Sequence, residues 1–363
     1  MAEKKYRVAI AGGAGTWGRF YTSAFAAHPE VEIVALVDRA TERGRAFAAH
    51  FGIDQVFSSI DELLAREIPD IVSAILPVAY TRDVVIACAE AGVKVVSCEK
   101  PIDYQLARAD ETVRICQERG TVLGCGTALW MAPYIRQTVE WIRQGHIGAL
   151  TGASIPGGLP VEVSGGGCHW LAQMLYLTGM KVEWVEGWIL PPEGNYANPE
   201  ATEPTQIDYP AYGRLGLSGG IVCQIPNPQR RVACETAISG ENGQVWITNP
   251  RPILIQGQGP GSSPVYPEFF KEDQPETWAD RTIAGLLAAV DTGAYDCRGD
   301  YYRQVLEIAI ALVLSAHDNH RRIELPLTDR SHKLYPHPYR LYGGDKAGWQ
   351  SIGYQGPPPS PEH

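Results

Sequence analysis

Residues 6–38 read YRVAIAGGAGTWGRFYTSAFAAHPEVEIVALVD, and this stretch decides the fold. Tyr6–Ala11 is a short apolar run, the pattern of a buried strand. Gly13, Gly15 and Gly18 follow in GxGxxG spacing, Thr16–Ala27 is amphipathic, and Ile33–Val37 is a second apolar run closed by Asp38. Glycines so placed serve a tight turn, close approach of backbone to a pyrophosphate, and close packing of helix on strand. The helix that opens at Thr16 and Trp17 directs amide N–H groups and its positive dipole end at an anion. Asp38 stands 20 residues after Gly18, where a carboxylate receives a ribose diol and repels a 2′-phosphate. That predicts NAD, with NADP less favoured. Arg39 beside it leaves an opening for NADP, since a guanidinium could accept that phosphate. A glycine turn that only packs a βα unit is the competing reading; strand, helix and acid in their proper places weigh against it.

The rest of the chain fits around this unit. With 363 residues and 45% hydrophobic content, it can bury a large core and divides into two domains. A net charge of −10 without any basic cluster argues against nucleic acid or an anionic membrane as partner. The apolar run after the N-terminal lysines is too short for a signal peptide, and no stretch approaches the ~18 apolar residues of a membrane span. These features predict a soluble, cytoplasmic protein. The eight cysteines contain no CxxC pair, which suits reduced, buried thiols better than disulfides or structural zinc, so no metal is expected.

Beyond Asp38, strands alternate with helices. The helices are expected at Thr41–Phe51 (N-cap Thr41), Ser59–Arg66, Thr81–Ala91 and Tyr104–Arg119. The strands are Gln55–Phe57, Asp70–Leu76 ending at Pro77, Val93–Cys98 delivering Glu99 and Lys100, and Thr121–Cys125. Short links between them imply a doubly wound parallel sheet, whose ligands bind outside the carboxyl ends of the strands. A helix over Pro133–Gln144 follows, and then β-rich runs at Ala149–Ile155, Val182–Ile189, Gly213–Gln224, Val232–Ser239 and Gln244–Ile247. Helices at Thr277–Thr292 and Tyr301–Asn319 would cover them. This predicts an α+β domain with an open, mainly antiparallel sheet. The boundaries are 1–126 for the nucleotide-binding domain, 127–330 for the second domain and 331–363 for an irregular tail. Pro191–Pro210 and Gln256–Pro267 read as long loops.

AGGAGTWGR after the first strand, VDR closing the second, CEKP closing the fifth and GGGCHWL opening a helix together resemble the glucose-fructose oxidoreductase/inositol dehydrogenase/MocA (Gfo/Idh/MocA) family. RQGHIGAL and the closing ELPL support the likeness. The resemblance implies an NAD(P)-dependent oxidoreductase acting on a carbohydrate or cyclitol. It implies Lys100 as the catalytic lysine and His169 as the histidine that works with it. The chemistry is consistent: oxidising a secondary alcohol needs a proton acceptor and a cation or donor that polarises the oxygen. By itself a lysine after a strand is most often a solvated charge, and a histidine between Cys168 and Trp170 a core residue.

The chain departs from the family where Gly165 and Ala172 replace two common acids near the histidine. Glu162, just ahead of the helix, could supply the absent carboxylate. Trp130, Tyr134, Trp170 and Tyr209 could touch a sugar, with core packing the alternative for each, and Asp208 and Glu235 carry no readable role. Two other functions compete: a redox-neutral sugar enzyme that recycles tightly bound NAD, and a non-catalytic nucleotide sensor. An open sheet that packs helices on one face leaves the other free for a second subunit, which predicts a homo-oligomer, dimer or tetramer, joined through the open sheet.

Overall fold

The computed structural model describes residues 6–127, 131–192, 198–228, 234–272, 277–343 and 348–355, with Thr41 described for its backbone alone. Trp130 and the last residues of the tail lie outside them. The first domain runs β1 (Tyr6–Ala11), α1 (Thr16–Ala27), β2 (Val31–Val37), α2 (Thr41–Phe51), β3 (Val56–Phe57), α3 (Ile60–Arg66), β4 (Ile71–Ala74), α4 (Val78–Ala91), β5 (Val95–Cys98), α5 (Leu106–Arg119) and β6 (Val122–Cys125). The strands form one parallel sheet in the order β3-β2-β1-β4-β5-β6. This is the Rossmann order, with its switch point between β1 and β4. β1 lies in register between its neighbours, Ile10 beside Leu36 and Ser73. Strands buried on both faces account for continuous rather than alternating apolar runs.

The helix starts of the first domain follow expectation at α2 and shift by one to three residues at α3, α4 and α5. The N-cap of α2 is Ala40, without a side-chain cap, rather than Thr41. α4 begins at Val78, three residues before Thr81, because Pro77 at φ −57° is already set for helix entry.

The second domain contains α6 (Ile135–Arg143), β7 (Leu150–Ser154), a π-helical turn (Val163–Gly167), α7 (Cys168–Thr178), β8 (Val182–Ile189), β9 (Ala211–Leu217), β10 (Ile221–Ile225), β11 (Cys234–Gly240), β12 (Gly243–Thr248), β13 (Ile253–Gln256), β14 (Ser263–Val265), α8 (Trp278–Thr292), α9 (Gly299–His317) and β15 (Ile323–Glu324). Its nine-stranded sheet is ordered β14-β13-β12-β11-β7-β10-β9-β8-β15. All its pairs are antiparallel except β7 with β10. The expected run Gly213–Gln224 folds as a hairpin, and the expected loop Gln256–Pro267 carries β14.

The segment after 330 is not an irregular tail. Its backbone pairs with the first domain at Leu106 and Tyr104 and with the second at Gln206 and Asp208. It then forms a short helix, α10 (Pro338–Tyr342), followed by a 3-10 turn (Trp349–Ile352). Leu334, Leu341 and Trp349 are buried. Leu341 and Tyr335 pack on Val78 at the start of α4, and the Trp349 ring lies 5.6 Å from that of Phe47 on α2. The C-terminal segment therefore returns to the carboxyl edge of the parallel sheet.

Candidate active site

At the glycine turn the mechanical roles are distributed somewhat differently from the expected scheme. The left-handed turn is made by Gly12 (φ +75°), one residue ahead of the fingerprint; a Cβ there would lie 2.6 Å from the Ile75 carbonyl. Gly18 serves packing, since its Cβ would fall 2.5 Å from the Gly13 carbonyl, and a Cβ on Gly13 would meet Ile10 and Phe47 below 3 Å. Around Gly15 no atom lies within 4 Å of a built Cβ. α1 begins there with no side-chain cap and no acid in its first turn, so its helix end suits a pyrophosphate. Gly15 sits at φ −74°, ψ 170°, which alanine also adopts. Gly15→Ala is therefore expected to keep stability within about 1 kcal/mol and to weaken dinucleotide binding by about tenfold or more. Fluorescence titration alongside chemical denaturation would check both.

Asp38, the expected ribose contact, directly follows β2. Its buried carboxylate accepts from the Ala40 amide at 2.9 Å and from Arg43 at 3.2 Å on each oxygen. Arg39 turns to Tyr80 instead, its guanidinium 4.2 Å from the ring centroid. Pro77 stands at the opposite wall, where a Cβ on Gly343 would lie 3.0 Å away.

Lys100, just past β5, is not a solvated surface lysine: its side chain is 7% exposed. Its ammonium lies 3.6 Å from Glu99, whose other oxygen accepts from the buried Tyr21 hydroxyl at 2.8 Å. The Trp17 ring, beside the glycine turn, is 5.4 Å from the same nitrogen. Burial and the adjoining carboxylate push the Tyr21 phenol well above its ordinary range, so it stays a hydrogen-bond donor that fixes Glu99.

His169 is the second residue of α7, directly after the π-helical turn. The residue is half-buried, and its Nδ1 is sealed from solvent without a hydrogen-bond partner among the described residues. Burial, the Lys100 charge and the Arg340 charge depress its pKa to about 3. The imidazole is thus neutral at physiological pH, with two cations close enough to hold it so. The Lys100 charge, from the first domain, acts on His169 of the second.

The structure also adds Arg340, from α10. Its Nε donates to Glu162 at 2.5 Å, with both side chains largely buried, at 14% and 13% exposure. Glu162 therefore does not take up the expected role on His169: its carboxylate is committed to Arg340, while Nδ1 stays without a partner. The pair explains Gly165. A Cβ at 165 would lie 2.6 Å from Arg340 Nε and 2.7 Å from Glu162 Cγ, so the ion pair fills the space of the missing acid. Gly165→Asp should part the pair and cost about 1–3 kcal/mol, read as the denaturation midpoint; a more stable variant would contradict this geometry.

Asp208 underlies this corner. Fully buried, it accepts from the Val163 and Ser164 amides at 2.9 Å each and from the Ser164 hydroxyl at 2.6 Å. It thereby satisfies the first N–H groups of the turn leading to His169. Burial and the Glu162 charge raise its pKa to about 7. Cys168 is a buried thiol pushed up to about 12, mainly by burial, and so is no nucleophile.

Three of the expected substrate aromatics lie within the described residues. Tyr134 caps α6 and donates to the Glu272 carbonyl at 2.9 Å, Tyr209 leans on His317 of α9, and Trp170 packs half-buried against the core. All eight cysteines are free. Among the described residues no group of three or more His, Cys, Asp or Glu could hold a metal ion, and no helix is long and apolar enough to cross a membrane.

A parallel sheet in this order, with a glycine turn and a buried lysine at its carboxyl edge, defines the dinucleotide-binding class of oxidoreductase folds. Residues 6–127 match the GFO_IDH_MocA oxidoreductase family, NAD-binding Rossmann fold. The 1,5-anhydro-D-fructose reductase of Ensifer adhaerens is 33% identical over 124 residues, 34% of this chain, and that alignment spans only 37% of the reductase. Inositol 2-dehydrogenase of Rhizobium meliloti is 24% identical over 310 residues, 78% of this chain and 88% of that one. Among solved structures, the aldose-aldose oxidoreductase of Caulobacter crescentus complexed with glycerol superposes with a TM-score of 0.70 at 19% identity, covering 89% of this chain and 100% of that one. That likeness extends the shared fold to the second domain.

Proposed function

We propose that this protein is an NAD-dependent oxidoreductase that interconverts a hydroxyl and a carbonyl on a carbohydrate or cyclitol. The observation that carries the reading is the position of Lys100: nearly buried, beside Trp17 of the glycine turn, and close enough to His169 to depress its basicity. The cradle at Gly15 and the carboxylate of Asp38 would hold the dinucleotide, and the charge of Asp38 favours NAD over its 2′-phosphorylated form. When bound there, nicotinamide supplies the hydride acceptor or donor. Lys100 polarises the reacting oxygen, Glu99 and Tyr21 fix the ammonium, and the neutral His169 takes the hydroxyl proton or returns it. The sheet face away from the helices exposes Trp246 and Ile253, at 39% and 40%, which suits contact with a second copy.

The test is a screen of sugars and cyclitols for formation of NADH. Turnover with at least one is expected, with NAD preferred over NADP. A protein that binds NAD yet reduces it with none of them would overturn the reading.

A further inference from the structure

Arg340 stands out among the groups in the crevice. A guanidinium offers five N–H donors in a planar fork, and here only Nε has a protein partner, Glu162. The two Nη groups have no hydrogen-bond partner among the described residues, and the side chain keeps 14% of its surface exposed. The Arg340 charge acts on the same imidazole as the Lys100 charge, which puts the fork in the neighbourhood of both. The Tyr339 ring, 4.8 Å from the Arg340 guanidinium carbon, and the Glu162 carboxylate fix the plane of the fork. The space an acid at 165 would need is filled by the same pair, so the nearby carboxylate is neutralised by its own arginine. An arginine anchored through Nε with two parallel donors left over is built to receive a planar anion in bidentate fashion.

We propose that Arg340 is a specificity-determining residue that receives a carboxylate of the substrate, so that the protein acts on an acidic sugar, a uronic or aldonic acid, rather than on a neutral one. The inference rests on the oxidoreductase reading above. It has a second consequence at His169. Arg340 is one of the two cations that suppress its basicity, and a carboxylate docked on the fork offsets that charge. Binding the acidic substrate then raises the basicity of the imidazole that takes the hydroxyl proton, coupling recognition to catalysis.

The test compares NADH formation from pairs differing only in the carboxylate: an aldose with its uronic acid, and an alditol with its aldonic acid. In the wild-type protein kcat/KM for the acid should exceed that for its neutral partner by about 10- to 100-fold. In Arg340→Gln this ratio should fall toward one, chiefly through KM for the acid. Arg340→Lys, which keeps charge without the fork, should give an intermediate ratio, and it keeps the test open if the glutamine variant fails to fold. A wild-type preference for the neutral member, or an unchanged ratio in both variants, would overturn this inference alone and leave Arg340 as a clamp on the C-terminal segment. No turnover with either acid, with NAD bound, would also overturn this inference; the oxidoreductase reading falls only if the wider screen of sugars and cyclitols yields no NADH.

Discussion

Replacing Lys100 by alanine is expected to lower kcat by about a thousandfold while NAD affinity changes little. The ammonium is held at the carboxyl end of β5 by Glu99, itself fixed by Tyr21, and is nearly shielded from water. A donor in such a place stabilises charge developing on the substrate oxygen far more than it stabilises the ground state. The groups proposed to hold the cofactor, Gly15 and the α1 N-terminus, belong to other elements, so binding and chemistry should separate. Steady-state kinetics combined with NAD titration measure both. Turnover unimpaired in the variant would remove Lys100 from the chemistry, and loss of NAD binding would recast it as a cofactor ligand.

His169→Asn should lower kcat/KM by about a hundredfold and should also alter the pH dependence of stability. Folded, His169 gains its proton only near pH 3, against an ordinary value of 6.5. Between those limits the unfolded chain binds one more proton than the folded chain, so stability falls as pH drops from about 6.5 toward 3. Above that window the contribution is fully present. Wild type should therefore lose more stability than His169→Asn between about pH 7 and about pH 4.5, read from denaturation midpoints. Equal losses would mean that the imidazole is not held neutral.

The first domain was legible almost residue by residue, because its signals are local. β1 and α1 fall at their expected bounds, since the apolar run, the glycines and the helical period all lie within one βα unit. Where a start shifted, as at Val78, a proline at the helix mouth outweighed the periodicity. Strands in the second domain were harder to read: Gly219 and Gly220 turn one apparent run into a hairpin, and proline and glycine concealed β14. Lys100 and His169 could be singled out from their motifs. Arg340 could not, because nothing in PHPYRLY marks it and its partner Glu162 is 178 positions away in sequence. Glu162 was noticed as an acid near the histidine, but only the three-dimensional structure shows that it serves an arginine. Asp208 was unreadable for a similar reason: its partners, the amides of Val163 and Ser164, lie 45 and 44 positions away and carry no side-chain signature.

The central claim is that the Lys100 ammonium and the His169 imidazole act on one substrate oxygen above the nicotinamide. A crystal structure with NAD and an oxidisable polyol bound measures this directly. The account predicts that the oxygen on the carbon nearest nicotinamide C4 lies within about 3 Å of both Lys100 Nζ and a His169 ring nitrogen. A reacting oxygen held by other groups, with either side chain out of hydrogen-bond reach, would contradict it.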